Sequence, residues 1–269
     1  CRIPAAFTGL VGYKPTARRV PRQGTIPLSP SLDSIGPIAR SVACCAQLDA
    51  LLADEPPPDL AGCSLPGKHF ALPRTFVLAD MDRHVAADFE HALSRLSAAG
   101  ARVTEIDVPE FAEIPAIHAH GTIATAESFA WHRSLLATRA ADYDPRIRTR
   151  IQIGAGQTEA DFRALLAARR SFIARVERRI AEYDALLMPT VPVVAPRLAE
   201  LTADDAYVRI NALVLRNSTV VNFLDGCAIS IPIQGIGQPP VGLTLACRAG
   251  LDHRLFRCAM AAEAALAGG

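Results

Sequence analysis

Read for the spacing of its apolar positions, the chain divides into short segments of two kinds. From about Asp82 to Ala99 the residues Val85, Phe89, Leu93 and Leu96 recur every three or four positions, the period of one helix face, and Gly100 supplies the stop. On either side, Lys68–Pro73 and Arg102–Pro109 read as short strands. Strand, helix and strand in that order predict a parallel crossover, because parallel neighbours need a long connection. The fold class that follows is α/β, with helices packed on a sheet.

The remaining pattern extends this architecture. Ser41 can cap a helix carrying Ala46, Leu48, Leu51 and Leu52 on apolar positions until Glu55-Pro56-Pro57-Pro58 stops it. Helical periodicity runs from Glu113 to Leu136 and from Glu159 to Glu182. In the second run Phe162, Leu165, Leu166, Phe172, Ile173, Val176 and Ile180 form one stripe against an Arg-rich face that reads as solvated surface. Ala185–Pro192 is a buried strand ending at prolines, and a helix covers roughly Ala203 to Val214. Ala228–Ile233 and Val241–Cys247 are apolar strands, and Leu255–Leu266 is a closing helix. Residues 1–40, rich in Pro, Gly and Ser, read as a compact irregular connection with short extended pieces. No repeat or linker divides the chain, so residues 1–269 read as a single domain.

Composition narrows the partners. Half of the residues are hydrophobic and 20% charged, as in an ordinary globular protein. With 28 Lys+Arg against 27 Asp+Glu the formal charge is +1, so no global field steers the molecule to nucleic acid or to an anionic membrane. No apolar run approaches a membrane span, and no charged-then-apolar leader is present. The seven cysteines are odd in number and contain no C-x-x-C pair, which favours thiols and a cytoplasmic setting. Cys44 and Cys45 adjoin on a helix, and Cys247 and Cys258 lie in apolar surroundings typical of buried thiols.

Motifs name a chemistry. The run Cys1-Arg2-Ile3-Pro4-Ala5-Ala6-Phe7-Thr8-Gly9-Leu10-Val11-Gly12-Tyr13-Lys14-Pro15-Thr16 is followed by Arg19–Gly24 and by Ser31-Leu32-Asp33-Ser34-Ile35-Gly36-Pro37-Ile38-Ala39-Arg40-Ser41-Val42. Near the end stand Asn222–Pro232 and Pro240-Val241-Gly242-Leu243, with Leu186–Pro192 between. In order and spacing these blocks resemble the amidase signature family, whose pattern reads G-G-S-x-R-x-P-A-x-x-x-G-x-x-G-x-K-P-T, later S-L-D-x-x-G-P-x-A-R-T-V, then L-L-x-P-T-x-P, N-x-x-G-x-P-A-x-S-x-P and P-x-G-L. Asp225 replaces the pattern's glycine and Cys227 its proline.

The resemblance implies a mixed β-sheet covered by helices and a serine amide hydrolase acting on small carboxamides. In such enzymes a serine attacks the carbonyl, a second serine in a cis peptide passes protons, a buried lysine is the base, and a glycine-rich turn holds the oxyanion. In this register Cys1 follows the nucleophile directly, and all four groups precede it. No catalytic residue is therefore expected within the chain. It reads as the C-terminal portion of an amidase, with residues 1–42 the second half of the signature and residues 187–269 the final strands, pocket loop and closing helix. The lack of an initiator methionine fits that expectation.

Site candidates follow. Arg2 can tie the serine loop to carboxylates or carbonyls through its planar fork, or serve as plain scaffold. Asp33 is its candidate partner, or a turn residue bonding its own backbone. The resemblance places the Arg216-Asn217-Ser218-Thr219 stretch, with Arg216, Asn217 and Thr219 as the residues singled out, and the loop bearing Asn222, Asp225 and Cys227, at the mouth of the substrate pocket. Lys14 falls on the K-P-T lysine, not on the catalytic one, and reads as structural; Lys68 reads as exposed. Trp131 reads as core packing. His118 and His120 on a helix would not converge on a metal. Ser29, Ser31 and Ser34 read as turn formers, since no G-x-S-x-G elbow exists to expose a nucleophile. No cofactor or metal is expected.

Expected partners are a small amide and the N-terminal half of the same enzyme, with a homodimer left open. Three rival readings stand beside the first. One is a glutamine-hydrolysing component of an amidotransferase. Another makes Cys1 an N-terminal nucleophile with its own α-amine as base. The third is a truncated, inactive binding piece with exposed sheet edges and apolar surface.

Overall fold

The computed structural model describes residues 1–267. One seven-stranded mixed sheet organises them, in the order β2-β1-β6-β7-β5-β3-β4. Its strands are β1 (Val11–Lys14), β2 (Ile38–Ala39), β3 (His69–Pro73), β4 (Arg102–Ile106), β5 (Ala185–Pro189), β6 (Cys227–Pro232) and β7 (Gly242–Cys247). β3 runs parallel to both β4 and β5, whereas the other pairings are antiparallel.

The predicted crossover is present. Asp82 caps α3 (Arg83–Ala98) by accepting from the Val85 amide, and α3 connects β3 to β4 with His69 opposite Arg102. β4 ends at Ile106, before Val108, which turns into the core.

Because both faces of the sheet are covered, β5 and β7 are buried along their whole length. Alternate residues feed two cores. Leu187, Ile229 and Leu245 belong to one, under α2 (Val42–Ala53), α3 and α9 (Asp252–Ala267). Leu186, Met188, Ala228 and Ala246 belong to the other, under α4 (Glu110–Ile117), α7 (Glu159–Arg179) and α8 (Asp204–Phe223).

Several sequence expectations are corrected. The first segment is not irregular throughout: Arg2–Thr8 forms α1, with Pro4 in the first turn, where its missing N–H costs nothing. Gly9 ends α1 at φ +67°, and Gly12 lets the helix lie on β1, since a Cβ there would stand 2.6 Å from the Cys1 carbonyl oxygen.

In α2, capped by Ser41 as expected, the buried face is Val42, Cys45, Ala46, Asp49 and Ala50, leaving Leu48, Leu51 and Leu52 exposed. The aspartate belongs inside because Arg19 pairs with it at 2.8 Å. The helix expected over 113–136 is two, α4 and α5 (Ile123–Arg139), broken at Gly121 (φ +112°) and restarted by a Thr122 capping box.

A short α6 (Pro145–Gln152) lies outside the predicted elements. α8 continues nine residues past the expected end at Val214. Trp131 is exposed rather than packed in the core, and Lys68 is half-buried, 3.8 Å from Asp184. The arginine face of α7 is solvated as expected at Arg163, Arg170, Arg178 and Arg179, and three of its arginines also form ion pairs: Arg175 with Glu113, Arg179 with Glu110 and the less exposed Arg169 with Asp225.

Candidate functional site

A cleft of about 320 Å³ opens where α1, β1, the loop of residues 28–34 and the C-terminal half of α8 meet. Cys1, Arg2, Lys14, Asp33, Ser34, Ser218 and Asn222 supply its polar lining. Three larger concavities lie among α4 to α8, and none of the candidate residues lines them.

Two buried cations form the cleft's inner wall. Arg2 is 5% exposed and donates to the Asn222 Oδ1 at 2.7 Å and to the Ser218 carbonyl at 3.3 Å. Burial lowers its pKa to about 10. Lys14 is 7% exposed, and its Nζ donates to the carbonyls of Gly226 (2.8 Å) and Pro15 (3.0 Å). Burial first, and then the Arg2 charge, lower the Lys14 pKa to about 8. Neither cation has a carboxylate within ion-pair distance among the described residues; carbonyl dipoles hold both.

Asp33 does not meet Arg2. Its carboxylate accepts from the amides of Leu28 and Ser29, so it shapes the loop that forms the outer wall. Ser29 and Ser31 are indeed loop residues, and both are tied to Glu127 of α5: the Ser29 hydroxyl donates at 2.5 Å, the Ser31 amide at 3.0 Å, and the Ser31 hydroxyl also donates. No local signal marks Glu127, which lies 96 positions from Ser31.

The helical course of α8 decides which of its residues face the cleft. Leu215, Ser218 and Asn222 stand at spacings of three and four and line it. Arg216 and Asn217 point elsewhere. Arg216 donates to the carbonyls of Ala79 (2.6 Å) and Val77 (3.2 Å), Asn217 to those of Val77 (2.9 Å) and Pro189 (2.8 Å), and together they staple the loop after β3. Thr219 returns its hydroxyl to the Leu215 carbonyl and is absent from the lining. Of the expected stretch 216–219 only Ser218 lines the cleft, as extending the helical period past Val214 requires. The Ser218 hydroxyl oxygen is enclosed and has no hydrogen-bond partner among the described residues.

Asp225 follows α8 at φ +64° and accepts from Arg169 at 2.8 Å. It lies behind the cleft wall, not in the lining. Cys227 begins β6, opposite Cys247, and faces the apolar core under α9. The first residue of a strand whose odd positions point to that core cannot also line the cleft. Asp252, in the first turn of α9, holds the K-P-T segment: it accepts from the Thr16 amide (2.9 Å), the Thr16 hydroxyl (2.6 Å) and the Tyr13 hydroxyl.

The Cys1 thiol donates to the Gly36 carbonyl at 2.9 Å. His118 and His120 fall in the turn after α4, and no group of three metal-capable side chains exists among the described residues. No helix among these residues is long and apolar enough to cross a membrane.

This arrangement fits one family by sequence and by fold. The Amidase family model matches residues 1–256. A 2-amino-5-chloromuconic acid deaminase from Comamonas testosteroni is 31% identical, aligning with 100% of this chain and 59% of its own length. The A-type component of the glutamyl-tRNA(Gln) amidotransferase from Moorella thermoacetica is 30% identical over 97% of the chain and 60% of its own length. Among solved structures, one described as an amidase superposes with a TM-score of 0.85 at 28% identity, over 98% of this chain and 60% of that one. The chain thus spans about three fifths of the length of the relatives it matches. The chain belongs to the Amidase family.

Proposed function

We propose that the chain builds the substrate-pocket wall of a serine amide hydrolase acting on carbon–nitrogen bonds of small carboxamides. The observation that carries the reading is Arg2. The residue that the amidase pattern sets two positions after the nucleophile lies in the cleft wall, bonded to Asn222 of a second block of that pattern. A residue joined to the Cys1 amide would stand at the same wall, beside Lys14 and Ser218. In the proposed reaction its hydroxyl adds to the amide carbonyl, the amine leaves with a proton, and water then releases the acyl group. Seven free cysteines support a reducing compartment.

A second reading, an amidotransferase component that hydrolyses glutamine, draws on the Moorella relative, which is named for that assembly. Both readings predict ammonia release and differ in acceptor.

The test is ammonia release from a panel of small carboxamides and glutamine. We expect no turnover by the 269-residue chain alone, and turnover once the coding sequence ahead of Cys1 is restored. Changing the residue before Cys1 to alanine should abolish it, whereas Cys1→Ala should retain it. Hydrolysis by the isolated chain, lost on Cys1→Ala, would instead establish Cys1 as an N-terminal nucleophile.

A further inference from the structure

The C-terminal end of α8 is gripped by three cations from three elements. Arg2 of α1 holds the Asn222 side chain and the Ser218 carbonyl. Lys14 of β1 holds the Gly226 carbonyl. Arg169 of α7 takes the opposite side, its Nε donating to the Phe223 carbonyl at 3.0 Å and a terminal nitrogen to the Asn222 carbonyl at 3.1 Å and the Asp225 carboxylate at 2.8 Å. The last carbonyls of a helix lack intrahelical donors and carry the negative end of its dipole, so cations are favoured here.

Asp225 is the one anion in this turn, and its backbone is left-handed at φ +64°, where glycine is the residue without a steric cost. The amidase pattern has glycine at that position. This chain has an aspartate whose carboxylate is engaged by an arginine 56 residues away, itself mostly buried. The ion pair offsets the strained backbone and recruits Arg169 to the helix end.

We infer that Arg169 and Asp225 form a positioning pair, which fixes the Asn222–Gly226 turn from behind the cleft wall and, through Asn222, fixes Arg2 and the backbone at Cys1. Its catalytic consequence rests on the hydrolase reading above; its structural consequence does not. Arg169 touches no cleft lining except through the turn, so its removal acts on the site only by displacement.

Two readouts test the pair. Lys14 and Lys68 are the only lysines of the chain, so selective ¹³C labelling of lysine gives two signals to titrate. In the 269-residue chain, Arg169→Gln should loosen the turn and admit water to Lys14, moving its midpoint from about 8 towards the ordinary lysine value. Asp225→Gly relieves the backbone, leaves Arg169 on two carbonyls and removes a charge that helps Lys14 hold its proton, so it should leave the midpoint at or slightly below its native position, never above it. Adding Asp225→Gly to Arg169→Gln should recover part of the shift. In the protein with its preceding coding sequence, Arg169→Gln should lower kcat roughly tenfold or more with less change in KM, as displacement of a reacting group requires, and Asp225→Gly should again restore part.

A natively helical Arg169→Gln chain with an unmoved Lys14 midpoint overturns the inference. So does a double variant no better than Arg169→Gln. Should Arg169→Gln not fold, Arg169→Lys, which keeps the charge but cannot span three acceptors, is expected to show a smaller shift of the same sign, and no shift counts against the pair. Loss of the hydrolase reading with a shifted Lys14 would leave the pair standing, so the two failures are separable.

Discussion

The two ends of the sheet solve opposite problems. On the parallel side, β3 and β4 with α3 bury apolar side chains such as Phe70, Phe89 and Leu96, and keep their charges at the rim, where Arg74 faces Glu105 and Asp107 with all three side chains more than half exposed. On the antiparallel side, β1, β6 and β7 surround buried polar groups. Arg2 and Lys14 lie beside α8, and the hydroxyls of Thr190, Ser230 and Thr244 bond one another at 2.7 and 2.8 Å. Burying polar groups is costly unless each finds a partner, so the second end carries an expense that packing alone does not explain. The difference supports the proposed function: the apolar end packs as scaffold, and the end that keeps cations in a cleft carries the candidate site.

Mutations can break that contrast. The largest effect is expected for Phe70→Ala in β3, where deleting a fully buried ring should destabilise the fold by about 3–5 kcal/mol in chemical denaturation while leaving the Lys14 titration in place. Arg2→Met should cost roughly 2–3 kcal/mol, since it strands the Ser218 carbonyl and Asn222 Oδ1, and it should shift Lys14 as well by removing a neighbouring charge. The Phe70→Ala and Arg2→Met pair therefore sharpens the comparison, one variant acting on stability alone and the other on stability and site.

A pH effect comes next. Lys14 binds its proton more weakly in the folded chain, with a midpoint of about 8 against the ordinary 10.5. Above pH 8 the unfolded chain therefore holds the extra proton, and stability from this group rises with pH between about 8 and 10.5. The buried thiols of Cys45 (about 12) and Cys258 (about 11) act in the opposite direction above pH 9, because burial raises them. The Lys14 contribution is cleanest from about pH 8 to 9, as the difference between the native chain and Lys14→Met in urea unfolding. The smallest effect is expected at the rim, where Arg74→Ala should change stability by less than about 0.5 kcal/mol and more weakly still in high salt.

The same contrast explains what the sequence disclosed. The crossover was legible because Val85, Phe89, Leu93 and Leu96 carry an unbroken helical period between two short strands, and local pattern alone determines such a unit. The short α1 was hidden because Pro4 and Gly9 read as breakers, although a proline in a first turn and a glycine just past the last turn are what a helix tolerates best.

The candidate site was suggested by motif, and the geometry redistributes its residues. Arg2 and Asn222 come together as two blocks of one motif should, yet Arg216, Asn217 and Thr219 turn away from the cleft, because the polar run 216–219 that reads as the end of a helix lies inside one. Tertiary hydrogen bonds to Val77, Ala79 and Pro189 absorb the polar side chains of Arg216 and Asn217 and let the helix continue. Leu48, Leu51 and Leu52 mislead for the converse reason: leucine on a helical period does not mean burial once Arg19 draws Asp49 inside. Glu127 and Asp252, which hold the two loops bearing the signature, could not be read locally, since they act across 98 and 236 positions.

Covalent trapping tests the central claim most directly. The protein carrying the sequence ahead of Cys1 would be treated with a serine-reactive fluorophosphonate and mapped by peptide mass spectrometry. The account predicts a single adduct on the residue joined to the Cys1 amide, with loss of ammonia release in proportion to labelling. An adduct on Ser34, Ser218 or Cys1 that tracks the loss of activity, with that preceding residue unmodified, would contradict it.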